Sequence, residues 1–150
     1  MSIGMIDNNS SLLLTQNCDE LRSLFLNLKG ERDIALLLEV SYNRLKFHTS
    51  KSREKTRYKE FSISKKSGKT RKILAPCTAV KILQRKLSQV LYSVYEPKQP
   101  VHGFVPSRSI LANAEKHVRK RFVLNIDLED FFHTIHFGRV RPQFDIIKGR

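Results

Sequence analysis

Leucine and phenylalanine at positions 21, 24, 25 and 28 recur at the spacing of one helix face, which predicts a helix from Asp19 to Lys29 that Gly30 ends. A second helix is expected from about Asp33 to Phe47, with apolar positions at 34, 37, 38, 42 and 45 and Asp33 as its N-cap. Together they predict a small helical cap, with a partner-binding helical hairpin as the alternative. From His48 to Arg57 the chain is basic and nearly free of apolar residues, which reads as an exposed connection. The pattern then changes to short β-type runs. Tyr58, Phe61 and Ile63 precede a Ser67-Gly68 turn, and Arg71, Ile73 and Ala75 follow it, which predicts a β-hairpin closed by Pro76. The clearest helix covers residues 78–95, with Val80, Leu83, Leu87, Val90, Leu91 and Val94 on one face and Lys81, Arg85 and Gln89 on others. Pro97 and Pro100 end it. A further helix is expected from about Ser109 to Lys120, leading into an apolar strand, Phe122 to Ile126, that stops on Asp127. The expected class is therefore α+β.

A chain of 150 residues is long enough for one ordinary domain with a core. No apolar run approaches the roughly 18 residues of a membrane span. Met1 to Gln16 reads as a disordered polar start and lacks the basic flank of an export signal. Cys18 and Cys77 lack metal-ligand spacing, so both are read as reduced thiols of a cytoplasmic protein. Charge changes the picture more. Residues 44–86 hold fifteen of the 28 basic side chains and only two of the fourteen acidic ones. Solubility alone does not require one sign in one segment, and such clustering fits a polyanion partner, with nucleic acid the expected one.

Two places carry candidate chemistry. Asp127 presents a carboxylate at the end of an apolar run, which suits a divalent cation held at the rim of a sheet. It equally suits the N-cap of a helix beginning at Leu128-Glu129-Asp130-Phe131-Phe132, and spacing does not choose between the two. Glu129 and Asp130 fit either a metal or a helix start. Phe131 and Phe132 read as core aromatics, and His133 and His136 as surface histidines. The second place is the hairpin, where Lys65, Lys66, Lys69, Arg71 and Lys72 bracket a tight turn and suit a triphosphate or a nucleic-acid backbone. Lysines that protect an edge hairpin from aggregation are the plainer alternative. Ser67-Gly68-Lys69-Thr70 ends like a phosphate-binding loop, but Ile63 stands where its first glycine is needed.

Several motifs in order resemble one family. Tyr58-Lys59-x-Phe61-x-Ile63 with Lys65-Lys66-Ser67-Gly68-Lys69-x-Arg71-x-Ile73-x-Ala75-Pro76 is similar to the fingers hairpin of bacterial retron-type reverse transcriptases. So are Lys81 to Leu87, Val101-His102-Gly103-Phe104 and Arg108-Ser109-Ile110. Asn113, Ala114 and His117 match the Asn-Ala-x-x-His signature of the retron enzymes. Asn125 to Phe132, continued by Phe137 to Arg141, resembles the first metal-binding motif of their palm. The resemblance covers residues 33–141.

The resemblance implies an RNA-directed DNA polymerase that extends a primer on an RNA template. It divides the chain into a helical region at 17–50, fingers at 51–121, the start of the palm at 122–141 and a tail at 142–150 that does not look like the family. Asp127 would be the catalytic carboxylate on Mg²⁺, with the backbone carbonyl of Leu128 beside it. Lys66, Lys69 and Arg71 would meet the incoming deoxynucleoside triphosphate. Phe132 would sense the 2′ position of its sugar. Lys65, Lys72, Lys81 and Arg85 would hold nucleic acid. Asn113, Ala114 and His117 enter as family markers, and a packed His117 is the plain reading of that residue. A structured non-coding RNA serving as template and primer, often in phage defence, would be the partner, and DNA the product. The Tyr-x-Asp-Asp turn, which carries the family's other carboxylates, and the thumb are not among these residues. The two-metal site is thus incomplete, and the expectations are a shortened or split reading frame, no primer extension by this chain alone, and a second polypeptide supplying the rest of the palm. A non-catalytic RNA-binding fragment that uses the basic segment is the alternative, and a pseudogene product with no function is a third reading.

Overall fold

In the computed structural model, residues 12–64, 66, 68–129 and 131–147 are described. They form helices and one antiparallel pair of strands, an α+β chain, in two compact units divided between Val94 and Tyr95.

The first unit opens with helix α1, Cys18–Leu26. Asn17 caps it, its side chain accepting the Glu20 N–H while the Glu20 carboxylate accepts the Asn17 N–H, both at 3.0 Å. Leu21 and Phe25 are its buried residues. The single helix expected over 33–47 is two, α2 (Glu31–Leu37) and α3 (Tyr42–Thr49). Asp33 is not an N-cap. It sits on the third residue of α2 and accepts the N–H groups of Lys29 (2.8 Å) and Gly30 (3.0 Å), and those two bonds, Lys29 first, hold its carboxyl below the usual carboxylate range. The break follows at Glu39, whose φ of 49° lies in the left-handed region. The Val40 N–H reaches the Ala35 carbonyl (3.0 Å) and the Glu39 N–H reaches that of Leu36 (2.9 Å), the paired bonds of a Schellman ending. Glycine normally holds this position. Here the Glu39 carboxylate is engaged by Thr15, through both its N–H (2.7 Å) and its hydroxyl. Ser41 then caps α3, accepting from the Arg44 N–H.

Residues 51–56, expected as an open connection, make a 3₁₀ turn that leads into β1 (Tyr58–Ser64). β1 pairs with β2 (Thr70–Pro76), from Tyr58 opposite Pro76 to Ser64 opposite Thr70. Gly68 in the turn has φ +79°, which an L side chain adopts only at a cost. The Cys77 N–H bonds to the Arg57 carbonyl at 2.7 Å and closes the base of the hairpin. Helix α4, Thr78–Val94, follows at once, and Gln84 donates to the Tyr58 hydroxyl at 2.9 Å. Helix α4 packs against α1, and Val80, Val90 and Val94 join Leu21, Phe25, Ala35, Leu37, Leu38 and Leu45 in the core. Burying each larger member stabilises the fold by about 1.5–3 kcal/mol. The expected face of α4 needs one correction. Leu87 is exposed, and its neighbour Lys86 is buried, at 2% exposure.

The second unit has less regular structure. The loop after α4 is held by Arg108, whose Nη1 faces the carbonyls of Lys98 (2.9 Å), Gln99 (3.1 Å) and Val101. Ser109 caps helix α5, accepting from the Ala112 N–H at 3.1 Å. Helix α5 runs Ile110–Glu115, shorter than the expected 109–120. Beyond it the backbone bonds tighten to three-residue spacing, and Arg119 turns to φ 60°. Lys116, Arg119, Lys120 and Arg121 put like charges in that stretch, which works against another helical turn. The strand expected at 122–127 is not formed, and residues 122–128 follow an irregular path with Phe122, Leu124 and Ile126 exposed. An apolar run becomes a strand only when a neighbouring strand takes up its N–H and C=O groups, and the described residues bring none. Helix α6 is Phe131–Thr134, and α7 is Phe137–Ile147, continuing through Pro142.

Candidate active site

The hairpin sorts its cations by strand alternation. Residues opposite each other in the ladder project from the same face. Ile63 opposite Arg71 and Phe61 opposite Ile73 therefore share one face, and Ser62 opposite Lys72 and Glu60 opposite Leu74 share the other. Arg71 stands among apolar side chains. Lys72 stands on the reverse side, where its ammonium pairs with the Glu60 carboxylate at 2.9 Å. Lys66 and Lys69 lie exposed in the turn, and Lys65 lies outside the described residues. The four described basic residues of the turn are thus not equivalent. Lys66 and Lys69 crown the tip, Arg71 serves one face, and Lys72 is partly neutralised on the other. An exposed pair of this kind contributes up to about 1 kcal/mol, so Lys72 leaves Glu60 at little cost.

Lys81 and Arg85 are exposed one turn apart on α4. Their helix is anchored to the hairpin by Gln84 and Tyr58, so strand and helix present their cations from one folded unit.

In the second unit Asp127 and Leu128 are exposed on irregular backbone. Asp127 does not cap a helix, because α6 begins only at Phe131. Its carboxylate and the carbonyl of Leu128 are both hard oxygen donors, the kind Mg²⁺ takes. They are a minority of its sphere of about six ligands. Among the described residues no group of three or more His, Cys, Asp or Glu is placed to hold a metal. Glu129 and His136 are exposed, and Asp130 and the His133 side chain lie outside the described set. Phe131 and Phe132 are not core aromatics. They are 45% and 78% exposed, and their rings meet edge to face at 5.4 Å. Asn113, Ala114 and His117 are exposed as well, so His117 is not a packed histidine.

Two residues were missed as supports. Lys86 lies in the core of the first unit and donates to the Glu39 carbonyl at 3.2 Å. Burial raises the Glu39 carboxyl pKa, but the bonds from Thr15, the Lys86 charge and the Gln16 N–H more than offset it and hold the group below its ordinary value. Arg108 reads in the sequence as one more cation, yet it acts as a clamp on loop carbonyls.

Residues 63–139 match the family described as reverse transcriptase (RNA-dependent DNA polymerase). The retron Mx65 reverse transcriptase of Myxococcus xanthus is 42% identical over 115 residues, covering 75% of this chain and 27% of that relative. The retron Mx162 reverse transcriptase of the same organism is 40% identical over 90 residues, 57% of this chain and 18% of its own length. The retron Ec73 reverse transcriptase of Escherichia coli is 36% identical over 94 residues, 61% of this chain and 30% of its own length. The matches thus span under a third of each of these relatives. No solved structure matches the chain.

Proposed function

Because this chain belongs to the reverse transcriptase (RNA-dependent DNA polymerase) family, we propose that it forms the fingers and the start of the palm of a retron-type enzyme that adds deoxynucleotides to a primer on an RNA template. The observation that carries this reading is that one family match takes in both the cationic hairpin and Asp127. In this proposal residues 51–121 are fingers and 122–141 begin the palm.

Lys66, Lys69 and Arg71 orient the triphosphate of the incoming nucleotide. Arg71 is suited to two phosphate oxygens at once, and the turn lysines act as point charges. Phe132 offers an exposed ring against the sugar and disfavours a 2′-hydroxyl. Lys81 and Arg85 hold the template backbone, together with Lys65 and with Lys72 once it leaves Glu60. Asp127 and the Leu128 carbonyl supply part of a Mg²⁺ site, and the bound ion offsets the charge of the reacting phosphates. The remaining ligands come from polypeptide other than the described residues. The natural RNA partner is a structured non-coding RNA that serves as template and primer, and the setting is the cytoplasm. No helix among the described residues is long and apolar enough to cross a membrane.

The test is a chimera in which residues 33–141 replace the corresponding segment of the Myxococcus xanthus retron Mx65 relative. Primer extension on RNA is expected from the chimera and is expected to fall to background in Asp127→Ala. Extension that survives Asp127→Ala would remove Asp127 from the chemistry.

A further inference from the structure

The hairpin and α4 do not use all of the basic segment. Upstream of both, the end of α3 and the 3₁₀ turn border a shallow, open recess of about 340 Å³ lined by Asn43, Lys46, Phe47, Ser50 and Ser52. Phe47 is 49% exposed. The His48 ring stands perpendicular to it at 5.0 Å and buttresses it. The Ser50 and Ser52 hydroxyls lie 3.0 Å apart, and Arg57 donates to the Ser50 carbonyl, which ties the rim of the recess to the base of the hairpin. Residues 44–57 carry six basic side chains against one acidic, so an anionic ligand is drawn to this stretch.

We propose that this recess seats one unstacked base of single-stranded RNA, as a binding site separate from the hairpin. An aromatic face flanked by a cation and hydroxyls is the arrangement that takes a base by stacking and its backbone by charge. Phe47 supplies the ring. Lys46, whose ammonium lies over the Tyr42 ring at 5.9 Å from its centroid, swings to a phosphate, Ser50 and Ser52 offer hydroxyls to ribose or phosphate oxygens, and Asn43 offers an amide to a base edge. The volume lies at the lower end of the roughly 300–1,000 Å³ of ligand pockets, which fits a single nucleotide. Stacking is tolerant of base identity, so this site adds grip rather than sequence choice. The inference rests on the proposed function only in taking RNA as the ligand.

Fluorescence anisotropy of the full 150-residue chain with a labelled oligouridine RNA tests the site. Phe47→Ala is expected to weaken binding roughly five-fold to one-hundred-fold with an unchanged salt slope, since stacking releases no counterions. Phe47→Tyr is expected to retain affinity. Lys46→Ala is expected to lower the slope of log affinity against log salt by about 0.7. A double variant of Lys69 and Arg71 separates the two readings. If it loses affinity while Phe47→Ala binds like wild type, the recess is refuted and the hairpin reading stands. If wild type binds no RNA, both fall. Photocrosslinking of an iodouridine-substituted RNA to wild-type protein guards against a variant that fails to fold. Crosslinks mapping to residues 43–52 support the site, and crosslinks found only elsewhere overturn it.

Discussion

Replacing Lys86 in two ways tests how the first unit is held together. Its side chain is 2% exposed, and its ammonium reaches the carbonyl of Glu39, at the left-handed corner between α2 and α3. Lys86→Ala removes three buried methylenes, at about 0.8 kcal/mol each, and leaves a void. It also leaves the Glu39 carbonyl without this donor, which costs about 1–3 kcal/mol where water does not enter. Removing the buried charge offsets part of this, so the expected loss is about 2–4 kcal/mol, a large part of the roughly 5–15 kcal/mol stability of a domain. Lys86→Met keeps the apolar stem and removes a charge that is expensive to bury, so the lost hydrogen bond is partly offset. Its expected effect is within about 1.5 kcal/mol of wild type. Urea unfolding followed by far-ultraviolet circular dichroism reads both. At a slope of about 1–3 kcal/mol per molar, the alanine variant should shift the midpoint down by about 1–4 M, and the methionine variant by less. If both variants lose the same stability, the stem contributes nothing and the packing argument is wrong.

Other outcomes follow from the same contacts. Glu39 and Asp33 both have folded pKa values below their ordinary ones, so their contribution is complete above the unfolded pKa and is lost as pH falls through the folded value; urea midpoints should fall as pH drops below about 4.5, and Glu39→Gln should flatten that dependence. Gly68→Ala places a side chain at φ +79° and should destabilise the hairpin by about 1–2 kcal/mol, read from exchange of the strand amides; protection equal to wild type would refute the strained turn. Arg108→Ala should speed hydrogen exchange at the Val101 and Arg108 amides while leaving α4 unchanged, and unaltered exchange would show that the clamp is idle. In the chimera, Phe132→Ala should raise incorporation of ribonucleotides relative to deoxynucleotides, and an unchanged ratio would remove the ring from sugar selection.

The elements legible in the sequence were those stabilised by their own neighbours. Helix α4 and the hairpin follow from local periodicity and a turn that glycine permits, and both lie close to their expected bounds. The failures needed partners distant along the chain. Glutamate favours helix, so Glu39 itself does not mark a break, and the only local signal is the N-cap Ser41 two residues on; the corner also depends on Thr15 and Lys86. Periodicity placed Leu87 inside because it counts apolar side chains and does not foresee a lysine stem filling the core. The run to Asp127 has strand composition but no strand beside it among the described residues. The sequence offered the candidate site only as a set of residue types. What the sequence did not reveal was that Arg71 and Lys72, adjacent in the chain, occupy opposite faces.

That opposition makes the hairpin sensitive to parity. A single uncharged residue inserted into β2 between the turn and Arg71 would carry Arg71 to the face of Glu60 and bring Lys72 among Phe61 and Ile63, reversing the assignment of the two cations without altering net charge. Two residues inserted there would restore it. Tolerance to insertion at this point should therefore alternate with odd and even length, and chains diverging from this one should change length there in pairs.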